Sequence, residues 1–274
     1  QATLGATVND DGRIDARIAT GWDEHAPLGG EIDVRTDELT WMELFSPDIV
    51  EPTGLLAGHV TLGGTRGVPT IGGNAQLTGF ATEIPALAIR PSNGNVRLDA
   101  LPDGTARITG SIQSGEGTLN IDGSLGWRGN DTPLVLNVRG SNVLASDTRD
   151  LRAVVNPDVV VRYAAGQPLD ISGTVVVPSA TIDLERLDRG ASVSSDVVIL
   201  DPVDPGEAQG LATPLALDLT LELGEDVVLN GFGLDGTLDG SLNVRQQPGR
   251  AMVASGELEV GGRYSAYGQR LSIT

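Results

Sequence analysis

The sequence predicts an all-β protein, a long stack of one-sided antiparallel strands, and three observations carry that expectation. Between Pro214 and Gly224 five leucines, Leu215, Leu217, Leu219, Leu221 and Leu223, alternate with smaller or polar residues. A period of two puts all five on one face of a strand and Asp218, Thr220 and Glu222 on the other. The same alternation recurs from one end of the chain to the other. Glycine, at 37 residues, is at roughly twice its usual share of about 7%, and no Ala/Glu/Lys/Leu block of helical composition interrupts the pattern.

In chain order, strands are expected at Ala2–Val8, Arg13–Ala19, Leu28–Val34, Leu55–Leu62, Asn74–Leu77, Gly94–Ala100 and Thr105–Ile112. They continue at Gly117–Trp127, Pro133–Arg139, Asp158–Tyr163, Leu169–Val177, Asp196–Leu200, Pro214–Leu223, Asp226–Leu229, Thr237–Val244, Ala251–Val260 and Arg263–Ile273. Turn signals such as Asn9–Gly12, Pro102–Gly104, Asn156–Asp158, Gly166–Pro168 and Gln247–Gly249 separate them. Connections this brief make neighbouring strands antiparallel partners. The apolar residues keep one parity within each strand: Ile14, Ala16 and Ile18; Ile108, Gly110 and Ile112; Leu119, Ile121 and Leu125; Leu134, Leu136 and Val138; Leu169, Ile171, Val175 and Val177. Leu242 with Val244, and Leu258 with Val260, continue the set after the five leucines.

Two segments break the pattern. Thr36–Phe45 reads as a short helix, with Thr36 as its cap, Asp37 and Glu38 at its positive end and Pro47 as its stop. Trp41 and Phe45 then share a face, as an ordinary packed helix would place them. Pro202–Thr213, rich in proline and glycine, reads as a mobile surface loop, and Ser179–Ser195 has room for a second short helix around Leu184–Leu187. Residues 1–274 therefore form one elongated unit, and subdivision is expected only near 30–55, around the helix at 37–45, or at the loop 201–213.

Composition removes whole classes of function. There are 18 basic and 37 acidic residues, a formal charge of −19, which excludes a nucleic-acid partner and electrostatic docking on anionic headgroups. Aromatic residues make up 3%, so stacking platforms for bases or sugars are nearly absent. Every basic residue is arginine, a feature of genome composition rather than of chemistry. The absence of cysteine removes disulfides and thiol chemistry, and suits an oxidising compartment. The chain opens at Gln1 without initiator methionine, signal peptide or long apolar run, and stops at Leu271–Thr274 within a strand-like pattern. It reads as a piece of something larger.

No catalytic constellation emerges, and the protein is not expected to be an enzyme or to hold a metal or cofactor. His25 and His59 stand in separate segments without a carboxylate at metal-ligand spacing. Gly231–Gly236 matches the dinucleotide-binding glycine pattern, but a strand rather than a helix follows it, so no amides are presented to a pyrophosphate. The tandem Leu-Asp-Gly at 234–236 and 238–240 makes Asp-Gly turns, too few for a calcium-binding solenoid. No Gly-x-Ser-x-Gly elbow occurs. Asn130-Asp-Thr132 is a glycosylation sequon only in a eukaryotic context. Asp10-Asp11 and Glu225-Asp226 fall at turns or strand edges, where acids are simply solvated.

Three stretches carry a resemblance. They are Asp158–Ile182, Gly190–Asp201, and Gly231–Val244 with Gly256–Ile273; the blocks Thr40–Asp48 and Ser114–Gly123 add to them. Together they span most of the chain, and they resemble the C-terminal region of the TamB family of long AsmA-like periplasmic proteins of Gram-negative envelopes. The resemblance implies an elongated, curled antiparallel sheet, a solenoid-like β-taco with an apolar concave groove and an open seam. It also implies an inner-membrane anchor outside this stretch and contact with the outer-membrane barrel protein TamA through the full-length C-terminus. Two roles come with it: carrying phospholipid between the membranes, and helping to assemble outer-membrane proteins such as autotransporters. The family supplies no catalytic residues.

Elementary physics agrees with the lipid role. About twenty strands at about 4.8 Å give a sheet on the order of 100 Å long, and strands of about eight residues are about 26 Å across. Each buried methylene contributes about 0.8 kcal/mol, so a floor without polar anchors holds acyl chains without pinning them. The expected lining is Ile14, Ile18, Ile108, Ile112, Leu119, Ile121, Leu134, Leu136, Val138, Leu169, Ile171, Val175 and Val177, then the five leucines, Leu242, Val244, Leu258 and Val260. Phospholipid is the expected occupant. The same floor with its open edge would also serve an unfolded outer-membrane protein as a chaperone. In a closed structural solenoid or adhesin passenger, these residues would be ordinary core.

Overall fold

The computed structural model describes residues 2–8, 12–44, 48–127, 132–186, 214–266 and 269–273. They form a single sheet of sixteen strands. The first eight are β1 (Ala2–Val8), β2 (Gly12–Thr20), β3 (Gly29–Thr36), β4 (Val50–Gly64), β5 (Pro69–Glu83), β6 (Ser92–Ala100), β7 (Thr105–Ser114) and β8 (Gly117–Gly126). The remainder are β9 (Leu134–Ser141), β10 (Val143–Asp147), β11 (Leu151–Tyr163), β12 (Leu169–Asp183), β13 (Leu215–Gly231), β14 (Leu234–Gln246), β15 (Val253–Ala266) and β16 (Gln269–Ile273).

Sequence neighbours are spatial neighbours throughout, except that β9 and β10 lie end to end against β11. Fifteen strands therefore stand side by side, giving a length of about 70 Å at about 4.8 Å per strand, shorter than the twenty-strand expectation. The sheet is elongated, curled and open: β1 and β16 occupy its two edges and do not pair with each other. Pairing is antiparallel everywhere except between β12 and β13, which run parallel with Leu169 beside Leu215 and Ile182 beside Leu229. Hairpin logic fails only there, because that connection is long enough to carry the chain from one end of the strands to the other.

The short helix expected from Thr36 is a 3-10 helix confined to Thr40–Leu44. Local side-chain bonds delay it. Thr36 Oγ1 accepts the Glu38 amide at 3.0 Å, and the Glu38 carboxylate accepts the Thr40 amide at 3.1 Å. These bonds compete with helical pairing and turn Leu39 inward, leaving it 1% exposed. The Thr40 hydroxyl and amide hold the Glu38 acid below the usual carboxylate range. A second 3-10 turn, Pro85–Leu87, was not expected. Ser179–Asp183 belongs to β12 and 184–186 is a turn, which overturns the helix expected to begin there. Phe45, Pro47, the expected strand Asp196–Leu200, the loop Pro202–Thr213 and the motif Gly190–Asp201 lie outside the described residues.

A crease crosses the sheet. Register shifts occur between Leu77 and Phe80 in β5, Ser92 and Asn95 in β6, Val154 and Asn156 in β11, Val177 and Ser179 in β12, and Leu223 and Val228 in β13. Asn142, at φ 53°, makes the equivalent break between β9 and β10. Irregularities of this kind bend strands and increase their local twist. At the shift between Val177 and Ser179 one extra residue reverses the sequence parity. The apolar face consequently passes from Val175 and Val177 to Ala180 and Ile182, which sit beside Val227 and Leu229.

The core lies beyond this crease. Most of the buried apolar side chains among the described residues are found there: Leu39, Ile89, Val143, Ala180, Val227 and Leu229. Ser114 Oγ reaches past β8 to donate to the Leu144 carbonyl at 2.6 Å, so the curl is tight enough to bring β7 onto β10. Ser146 Oγ donates to Leu151 O at 2.9 Å and Thr82 Oγ1 to Val50 O at 2.8 Å. The buried hydroxyls are thereby satisfied, as burial demands.

Candidate functional site

On the other side of the crease, ladder register collects the apolar residues into continuous rows. One row runs Ile14, Val34, Gly58, Ala75, Leu98, Ile108, Gly123, Leu136, Val161, Ile171 and Leu217. The next runs Leu56, Leu77, Val96, Gly110, Ile121, Val138, Val159, Gly173, Leu219 and Val244. Directly opposed residues project on the same side of a sheet, so each row is a stripe of one face.

The other expected residues fall into parallel stripes on that face. Ile18 is opposite Gly30, Ile112 opposite Leu119, Leu125 opposite Leu134, and Leu169 beside Leu215. Val175, Leu221 and Leu242 make a further stripe; Val177, Leu223, Gly240 and Leu258 another; and Val260 faces Leu238. The whole expected set shares one face. Val34, Leu56, Val60, Leu62, Ile71, Leu77, Val96, Leu98, Val159, Val161 and Leu238 join it without having been singled out. Their alternation is legible in the sequence, but glycines and alanines space it in β4–β6 and β14.

No position in these stripes, from β2 to β15, is charged. Every described strand belongs to the one sheet, so among the described residues no second sheet covers this face. Where burial is described the expected residues are half-buried, apart from Leu258 and Val260, which are exposed. Close strand contact replaces side chains at some positions. A Cβ on Gly123 would lie 2.0 Å from the Val135 carbonyl oxygen, and one on Gly173, at φ +143°, 2.3 Å from that of Asp158.

The opposite face is laced by ion pairs. Directly opposed partners include Arg17 with Glu31 at 3.1 Å, His59 with Asp33 at 2.7 Å, Arg139 with Asp158 at 3.0 Å, Arg162 with Asp170 at 3.4 Å and Arg245 with Asp218 at 3.2 Å. Each is exposed and contributes about 0.2–1 kcal/mol, so together they define a wetted face more than they stabilise it. Hydrogen bonding from Arg97 holds the Asp99 carboxyl below the usual carboxylate range. The histidines pair singly with Asp23 and Asp33. Among the described residues no group of three or more His, Cys, Asp or Glu is placed to hold a metal. Gly231–Gly236 is a strand–turn–strand passage without a helix N-terminus for phosphate.

One uncharged, half-exposed face, one ionic face and two free edges define a class: elongated, open, amphipathic single-sheet proteins. The chain belongs to the TamB family, whose C-terminal domain model matches residues 105–274. It is 25% identical over 260 residues to the translocation and assembly module subunit TamB of Haemophilus influenzae. That match covers 90% of this chain and 20% of the relative, so the chain spans about a fifth of that protein's length. No solved structure matches. Among the described residues no helix is long and apolar enough to cross a membrane.

Proposed function

We propose that the uncharged face is a floor for lipid acyl chains, and that this chain is a periplasmic section of a translocation and assembly module which carries phospholipid between inner and outer membranes. The observation that carries this reading is the unbroken run of uncharged positions from β2 to β15 with no second sheet upon it. An apolar surface of that extent is uncommon on a monomer unless something occupies it. Thirteen adjacent strands from β2 to β15 extend on the order of 60 Å at about 4.8 Å each. From Leu169 to Val177 a strand offers about 30 Å across, room for an extended acyl chain. The curl makes this face the concave one, and headgroups stay in water along the open seam. Work with TamA on outer-membrane proteins, and an inner-membrane anchor elsewhere in the full protein, belong to the same reading through family membership.

The test is native mass spectrometry with lipid extraction, on the chain exported to the periplasm and purified without detergent. Phospholipid is expected to copurify, to fall at least tenfold in a folded Leu219→Arg variant, and to persist in Thr220→Arg on the opposite face. A lipid-free, stable chain, or equal loss in both variants, overturns the proposal. Unfolding of Leu219→Arg alone would support a closed apolar core instead.

A further inference from the structure

The sheet ends unevenly. Strand β15 pairs with β14 from Val253 to Tyr264, but β16 covers only Gly262–Ala266 of its outer edge. From Val253 to Gly261, alternate residues therefore direct backbone N–H and C=O groups to an open side. Nothing in this stretch blocks pairing: it contains no proline and its residues stay in ladder register with β14. Seven of the twelve exposed large hydrophobic side chains among the described residues lie between Met252 and Ile273. Leu258 and Val260 are 42% and 38% exposed, while their neighbours in the same stripes are half-buried. The apolar face loses its cover where the neighbouring strand is missing.

The charges on the other face say what is missing. Elsewhere Glu31, Asp33, Asp158, Asp170 and Asp218 each face an arginine or histidine directly across the ladder. On β15, Glu257 faces Ser241 and Glu259 faces Asp239, and neither glutamate has a basic partner among the described residues. Two edge carboxylates, one of them opposed by a like charge, leave uncompensated negative potential beside unpaired backbone. A strand collinear with β16 would place its residues opposite Gly261, Val260 and onward to Val253, following the register of Ile273 opposite Gly262.

We propose that the Val253–Gly261 edge accepts a β-strand of another polypeptide, antiparallel to β15, with basic residues facing Glu257 and Glu259 and apolar residues facing Leu258 and Val260. Main-chain bonds supply the affinity, and the alternating charge and apolar pattern supplies the selection. This site is independent of lipid on the floor.

The experiment uses a fluorescent nine-residue peptide alternating arginine and valine, titrated by anisotropy into the 274-residue chain. The chain's charge of −19 attracts any basic peptide weakly, so position is read separately. With no native cysteine, a single Val260→Cys is expected to capture a cysteine-bearing peptide, and Val34→Cys in the sheet interior is not. The double change Glu257→Arg/Glu259→Arg is expected to weaken the arginine peptide at least tenfold and to gain binding of a glutamate–valine peptide. Absence of saturable binding, capture at Val34→Cys as readily as at Val260→Cys, or indifference to the charge swap overturns the proposal. So does association of Glu257→Gln/Glu259→Gln chains with one another while the unmodified chain refuses the peptide, because the acids would then serve only to keep edges apart.

Discussion

Leu219 and Leu229 stand on the same strand and face the same side of the sheet, yet Leu229 is 8% exposed and Leu219 only half-buried. The crease between them makes the difference. Beyond it the sheet folds tightly enough for β7 to touch β10, and Leu39, Ile89, Val143 and Val227 complete a small core. Before it the same residue types form an uncovered floor. The burial of an apolar side chain here depends on local curvature rather than on its hydrophobicity. The packed tier holds the curl, and the open tier remains free for an occupant.

Deleting Pro178 should break this contrast most severely. The deletion removes the extra residue at the crease, so Ala180 and Ile182 turn to the ionic face while Val175 and Val177 keep theirs. Hydrogen exchange is expected to show lost protection across Ala180–Asp183 and Val227–Leu229. Pro178→Ala preserves the residue count and should leave that protection in place. Normal protection in the deletion would mean that the bulge does not hold the two tiers in phase.

Truncations that compare the tiers come next. Leu39→Ala should destabilise by about 3 kcal/mol, within the usual range for an enclosed leucine. Leu219→Ala on the open floor should cost about 1 kcal/mol, since it was never fully removed from water. Urea midpoints check this, and equal shifts would show the tiers to be energetically alike. The smallest effect belongs to the ionic face: Arg139→Ala should cost about 0.5 kcal/mol, and the difference should vanish in 1 M salt. A loss that survives salt would give the ion pairs a structural role beyond wetting that face.

The boundaries expected from sequence fail in an instructive way. Expected strands stopped at Leu55, Leu77, Arg139, Asp158, Val177 and Leu223, and the structure carries the chain onward in β-conformation at each of these points. The breaks were real, but they marked a bend rather than an end. Gly79, Asn142, Pro157, Pro178 and Gly224 look like terminators because a turn and a bulge draw on the same residues. The strand β10 was missed for the same reason, since Asn142 cuts it from β9. The parallel pairing of β12 with β13 has no local signature, because it depends on the path of a long connection.

Alternation by itself determined the all-β class, the membership of the apolar face and its freedom from charge, because in a strand the side-chain direction follows from position alone. Register, the crease and the open edge of β15 were decided only by tertiary structure. Each arises from strands distant in the chain meeting across backbone hydrogen bonds, and these bonds pair any residue with any other, so no side-chain pattern encodes them locally.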